Sequence, residues 1–256
     1  NCVLAFLLLG VVASGGYLVN DIVDLAADRA HWSKKKRPLA SGELALAHAM
    51  AAAPAMTLGG VALGVALNPL FGAALAGYLA LTLLYTFHLK RIAMVDTVTL
   101  ATLFTLRIVM GVPLVGAEAT PWLLAFSMTL FLSLSLAKRH AELLRKAMRE
   151  PGGAVAGRGY AVADSDLTLA MGVSTAMLAI VVLMLYVMGE AASAAYRSPA
   201  WLWATPLILY LWLSRVWLKC HRGLLHDDPV VFALRDRPSL ALALCAAAAF
   251  AGATWG

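Results

Sequence analysis

Four oxygen-bearing side chains crowd nine positions in NDIVDLAADRA, residues 20–30: Asn20, Asp21, Asp24 and Asp28. On an α-helix, at about 100° per residue, the three aspartates fall within roughly 60° of arc, and Asn20 widens the arc to about 100°. Carboxylates this close repel one another unless positive charge lies among them. Hard oxygen donors of this kind suit Mg²⁺, which usually keeps several waters and binds through one or two carboxylates plus substrate phosphates. The chemistry indicated is a Mg²⁺–diphosphate site with Asn20, Asp21, Asp24 and Asp28 as its ligands; the bland alternative is a solvated helix end. The stretch that follows, DRAHWSKKKRPLASG, brings His31, Lys34 and Arg37 close behind the acids. Arginine can hold phosphate oxygens bidentately and lysine as a point charge, although a basic run there also serves membrane topology.

Three further clusters carry charge. In YTFHLKRIAMVDTVTLATLFTLRIVMG, residues 85–111, Asp96 and Arg107 lie 11 residues apart, three helical turns plus about 20°, and so share a face. An ionisable residue inside a membrane helix faces the bundle interior and is a functional candidate by default; a buried ion pair would be its structural role. Lys90 stands at the entrance to that segment and Tyr85 just before it. In LAKRHAELLRKAMRE, Lys138, Arg139 and Glu142 follow directly on an apolar run, and Glu142 with Lys146 makes a favourable i,i+4 pair. In HDDPVVFALRDRP, Arg235 and Arg237 precede the last apolar run as a candidate second phosphate clamp.

The elements that must position these residues are membrane helices. Charged residues make up 13% of the 256 and hydrophobic ones 62%, against about 25% charged in a soluble domain, and the mean hydropathy is +0.81. Eight apolar runs, roughly 2–19, 44–67, 70–88, 95–115, 121–137, 167–189, 199–217 and 239–255, each fit the span of about 17–25 residues that crosses the hydrocarbon core. They lack the period-two alternation of a β-barrel. The three cysteines, Cys2, Cys220 and Cys245, show no pairing or metal-binding spacing.

With eight spans in order, every Lys and Arg except Arg107 and Arg197 falls on one side of the membrane. By the positive-inside rule that side is cytoplasmic. Every acid except Glu118 and Glu190 falls there too, and topology does not require acids, so a polar site on the cytoplasmic face is expected. The chain opens at Asn1 with no signal-peptide pattern. The even count of spans leads us to expect a further helix before residue 1.

NDIVDLAADRA resembles the NDxxDxxxD signature of the UbiA superfamily of intramembrane prenyltransferases. The stretches NDIVDLAADRAHWSKKKRP, YTFHLKRIAMVD, LRIVMG, KRHAEL and ALRDR are similar to one branch of it, the polyprenyl-phosphate phosphoribosyltransferases. The resemblance implies an all-α, multi-pass transmembrane helical bundle with a cytoplasm-facing polar cavity, eight helices in this chain against about nine in the intact family, forming a single domain over residues 1–256. It also implies a Mg²⁺-dependent transferase. The implied substrates are a polyprenyl phosphate and phosphoribosyl diphosphate, the setting is the lipid bilayer, and no nucleic acid is involved. Asp21, Asp24, Asp28, Asp96 and Arg107 would be catalytic; Asn20, His31, Lys34, Arg37, Tyr85, Lys90, Lys138, Arg139, Glu142, Arg235 and Arg237 would bind substrate. One departure is instructive. Members of the superfamily carry a second acidic motif, often DxxxD, whereas here Asp96 is followed four places later by Leu100. That single carboxylate suits a lipid monophosphate better than a prenyl diphosphate. Two alternatives stay open: conventional transfer of an isoprenoid from its diphosphate to an aromatic or other small acceptor, and a non-catalytic transporter.

Overall fold

In hydrocarbon every backbone N–H and C=O must be bonded within its own segment, so long apolar runs fold as helices. A computed structural model of the chain describes residues 2–30, 34–112, 119–149, 158–225 and 228–256. Each apolar run forms one long helix: α1 (Cys2–Val23), α2 (Leu46–Leu67), α3 (Pro69–Phe87), α4 (Val95–Gly111), α5 (Pro121–Arg149), α6 (Ser165–Met188), α7 (Ala204–His221) and α8 (Arg237–Trp255). No β-strand forms among the described residues. Six of the eight (α1, α2, α3, α5, α6 and α8) are long and apolar enough to cross a membrane. The other two are marginal for physical reasons. Helix α4 has 17 residues, about 25 Å at 1.5 Å per residue, and carries Asp96 and Arg107. Helix α7 has 18 and ends in Arg215, Lys219 and His221.

Helix boundaries depart from the apolar runs at two informative places. Helix α1 continues through Val23, breaks at Asp24 and resumes as a short helix, Leu25–Ala30. The hydrogen-bond ladder crosses the break, with the Asp24 N–H donating to the Asn20 carbonyl (2.9 Å) and the Asp28 N–H to that of Asp24 (2.8 Å), so the facing of residues 20–28 is helical throughout. Helix α5 does not stop where its apolar run does. It carries KRHAELLRKAMR forward to Arg149 without interruption.

The described residues divide into two compact units. The first comprises Asn1–Thr99 and Leu106–Ala119; the second comprises Leu100–Thr105 and Thr120–Gly256. In the first, α1 packs on α2 and α3, and α2 on α3. Small residues let these backbones approach: a Cβ at Gly60 would lie 2.6 Å from the Val12 side chain, and Val12, Ala49 and Leu75 at the seams are fully buried. Asn68 begins α3, its side chain accepting from the Leu70 and Phe71 amides (2.9 and 3.0 Å), with Pro69 at the first helical position.

In the second unit α5 packs along α6, and α7 lies against both. Their junction is a polar knot. The Trp217 indole N–H donates to Ser133 Oγ (3.0 Å), and that hydroxyl donates to the Gly172 carbonyl (2.8 Å). The Trp217 ring fills the space that a side chain at residue 172 would need. Helix α8 packs on α7 and on the turn Pro199–Trp203.

Candidate active site

Helical facing sorts the signature residues into two pairs, and the structure closes each pair with one cation. Asp21 and Asp28 lie about 20° apart around the helix, Asn20 and Asp24 about 40°. Arg37 Nη1 donates to Asp21 Oδ1 (2.7 Å) and to Asp28 Oδ2 (2.6 Å), with Lys34 Nζ 3.9 Å from Asp28. Lys90 Nζ donates to Asn20 Oδ1 (3.1 Å) and to Asp24 Oδ1 (2.6 Å). Asp28 and Lys90 are almost fully buried, at 3% and 4% exposure. The positive charge that the clustered acids require thus comes from two sources, one local and one 66 residues away.

Local structure explains the reach of Lys90. Helix α3 stops at Phe87, and residues Leu89–Arg91 form a 3₁₀ turn that turns Lys90 inward while Arg91 stays exposed. The chain then bends sharply. Met94 adopts φ 63°, ψ −39°, and the Val95 N–H donates to the Ala93 carbonyl (2.8 Å), a three-residue turn with positive φ that is rare and strained for a non-glycine residue. Asp96 follows, fully buried in the first turn of α4.

Arg107, farther along α4, is half-buried and held by phenols. Its Nε and Nη2 donate to the Tyr78 hydroxyl oxygen (3.0 and 2.6 Å), and Nη2 also donates to that of Tyr17 (2.8 Å). Its guanidinium carbon stands 5.4 and 5.7 Å from the two ring centres, within cation–π range. Tyr17 sits one turn before Asn20 and Asp21 on α1, so Arg107 is placed one turn below the acids. Tyr85 is half-buried on α3. His31 lies outside the described residues.

In the second unit Lys138 and Arg139 are paired with acids. Lys138 Nζ contacts Asp228 Oδ2 (2.7 Å). Arg139, 1% exposed, donates to Glu142 and stacks over the Tyr160 ring (5.6 Å). Glu142 therefore has as a partner Arg139, one turn back along the helix. Arg235 and Arg237 are exposed and flank Asp236. That carboxylate accepts from Arg215 Nε and Nη2 (both 2.9 Å), Lys219 (3.3 Å) and the Ser239 hydroxyl (2.8 Å). The Arg215 guanidinium, with Ser239 and Lys219, holds the Asp236 carboxyl well below the usual carboxylate range.

The signature residues fit Mg²⁺ by donor chemistry. They offer three carboxylates and an amide oxygen on one helical face, all hard ligands. Among the described residues no three His, Cys, Asp or Glu side chains enclose a metal site by themselves, so any ion here would be completed by water and substrate phosphate, the usual condition of protein-bound Mg²⁺. Tyr17, Tyr78 and Met94 were not candidates in the sequence. The seven-residue spacing of Tyr78 and Tyr85 on one helical face was the available signal for Tyr78. Nothing local marks Met94.

The chain is 43% identical to protein y4nM of Sinorhizobium fredii over 96% of its own length and 48% of the relative's. It therefore spans about half of that protein. It is 34% identical to nodulation protein NoeC of Azorhizobium caulinodans, over 93% of the chain and 77% of NoeC. It is 35% identical to decaprenyl-phosphate phosphoribosyltransferase of Corynebacterium glutamicum, over 55% of the chain and 43% of that enzyme. The family model of the UbiA prenyltransferases matches residues 1–235. A helical, multi-span membrane protein with this signature at the end of its first long helix, the chain belongs to the UbiA prenyltransferase family.

Proposed function

We propose that the protein transfers 5-phosphoribose from phosphoribosyl diphosphate to a polyprenyl phosphate and releases diphosphate, on the cytoplasmic side of the membrane. The observation that carries this reading is the imbalance between the two acidic clusters. Asn20, Asp21, Asp24 and Asp28 form a full oxygen set, whereas Asp96 stands at the head of α4 with Leu100 four places on. One complete set serves one diphosphate. The single carboxylate on the face of α4 that also carries Arg107 suits a monophosphate. The decaprenyl-phosphate phosphoribosyltransferase of Corynebacterium glutamicum, by its name, handles such a lipid.

In this reading a lipid phosphate oxygen forms the new bond to ribose C1 as the C1–O bond to diphosphate breaks, its electron pair leaving on diphosphate. The attacking phosphate is already anionic, so no general base is needed, and positioning and electrostatics supply the rate. Mg²⁺ held by Asn20, Asp21, Asp24 and Asp28 would act as a Lewis acid on the leaving diphosphate. Arg37 and Lys34 grip diphosphate oxygens, Arg37 with its planar fork. Lys90 and Arg107 hold the lipid phosphate, the guanidinium fixed in place by Tyr17 and Tyr78. Asp96 orients these two cations or the ribose.

The test is transfer of radiolabel from phosphoribosyl diphosphate into a lipid extract by purified protein supplied with polyprenyl phosphate and Mg²⁺. A parallel reaction supplies polyprenyl diphosphate with aromatic acceptors. Label in the lipid supports phosphoribosyl transfer. Product only in the parallel reaction would replace it with conventional prenyl transfer. Asp24→Asn combined with Asp28→Asn is expected to abolish labelling, and near-normal turnover would refute the role given to the acids.

A further inference from the structure

Within the second unit, α5, α6, α7, α8 and the short helix Pro229–Arg235 line a half-open cavity of ≈ 380 Å³. Its walls are apolar, with Phe126, Leu183, Ile208, Trp212, Leu240 and Ala246 among them. Its rim includes Leu234 and Leu240, which are 68% and 42% exposed. Ser239 lines one end, and that hydroxyl belongs to the Asp236 cluster. Asp236 is bound by Arg215 and Lys219 and bracketed in sequence by the exposed Arg235 and Arg237. Four basic residues against one acid leave this end strongly positive. An apolar slot thus adjoins a cationic cluster through Ser239.

Each half of this arrangement restricts the occupant. A water-soluble phosphate would use the arginines and leave the slot idle. A neutral hydrocarbon would use the slot and gain nothing from the bases. An amphiphile with an anionic head uses both. The volume is near the lower end of the roughly 300–1,000 Å³ of pockets that hold a small ligand, enough for part of one hydrocarbon chain. We propose that this cavity and its basic end bind an anionic glycerophospholipid of the surrounding bilayer, one acyl chain in the slot and the phosphate against Arg235 and Arg237. The site gives Arg235 and Arg237 a lipid headgroup in place of a substrate phosphate.

The test is native mass spectrometry of the purified protein in micelles doped with equal phosphatidylglycerol and phosphatidylcholine. Preferential retention of phosphatidylglycerol is expected. In Arg235→Gln/Arg237→Gln that preference is expected to fall roughly 30-fold, taking each basic contact at about 1 kcal/mol. Both side chains are exposed; a salt titration of the wild-type protein, which needs no variant, should lower the preference as well. Ala246→Phe, which fills part of the slot, should weaken retention of both lipids. Three outcomes overturn the proposal: equal retention of the two lipids by the wild type, competition by glycerol phosphate as effective as by the whole lipid, or displacement of phosphatidylglycerol by equimolar polyprenyl phosphate, which would return the site to the substrate.

Discussion

Replacing Lys90 by Met tests the central feature of the first unit, because this one ammonium holds two of the four signature residues. Lys90 is 5% exposed at its side chain and Asp24 is 26% exposed, with 2.6 Å between Nζ and Oδ1. Removing one partner of a buried pair costs about 3–5 kcal/mol because the other charge is stranded. Asp24, a quarter exposed, regains part of its hydration, so we expect about 2–3 kcal/mol from Lys90→Met. Asp24→Asn should cost less, since the amine keeps Asn20 Oδ1 at 3.1 Å. The double variant strands no charge, and its cost should fall short of the sum by at least about 1 kcal/mol. The assay is reversible unfolding in mixed micelles followed by tryptophan fluorescence. Additivity of the two substitutions to within about 0.5 kcal/mol would refute the pairing, and with it the argument that a distant cation balances the acids.

Three other expectations can be read in the same assay or close to it. Gly172→Ala should cost about 1–3 kcal/mol, as typical overpacking does, because its Cβ would overlap the Trp217 ring, whereas Gly10→Ala meets nothing within 4 Å and should be near neutral. Tyr78→Phe removes a buried acceptor shared by two Arg107 N–H groups and should destabilise by about 1–3 kcal/mol; in the transfer reaction it should weaken use of the lipid phosphate more than of phosphoribosyl diphosphate, seen as a change in KM for the lipid alone. The lowered pKa of Asp236 has a definite sign. A carboxyl with a depressed folded-state pKa contributes stability above its unfolded value, about 3.9, and loses it as the pH falls toward the folded value. The stability gap between wild type and Asp236→Asn should therefore be full at pH 6 and shrink progressively below about pH 4; a gap unchanged down to pH 2.5 would contradict the assignment.

Much of the fold was legible because the bilayer leaves few choices. A run of spanning length that must satisfy its own backbone becomes a helix, and all eight apolar runs did. Boundaries were harder. KRHAEL lies beyond the end of its apolar run, yet α5 continues through it, with Arg139 finding Glu142 one turn on and the Tyr160 ring beside it. With those partners a guanidinium at 1% exposure costs little enough for the helix to persist. Local composition cannot reveal a partner that returns from beyond the end of the helix.

The candidate site shows the same division between local and distant causes. The common face of Asn20, Asp21, Asp24 and Asp28 follows from helical geometry alone, and Arg37 lies near enough in sequence to be nominated as their partner. The choice of Lys90 over Arg91 does not follow from either. Both are basic, both precede α4, and a shift of one residue in the turn would exchange them. That turn is fixed by the 3₁₀ segment Leu89–Arg91 and by Met94 at φ 63°, a conformation that the sequence would have advertised only had residue 94 been glycine. A methionine there means that surrounding structure, not local preference, sets the backbone. Strain of order 1–3 kcal/mol is held at the residue whose turn points Lys90 toward Asp24 on one side and starts the helix of Asp96 and Arg107 on the other. The loop between α3 and α4 is therefore the joint on which the acidic signature, the single carboxylate and the phenol-held arginine depend together.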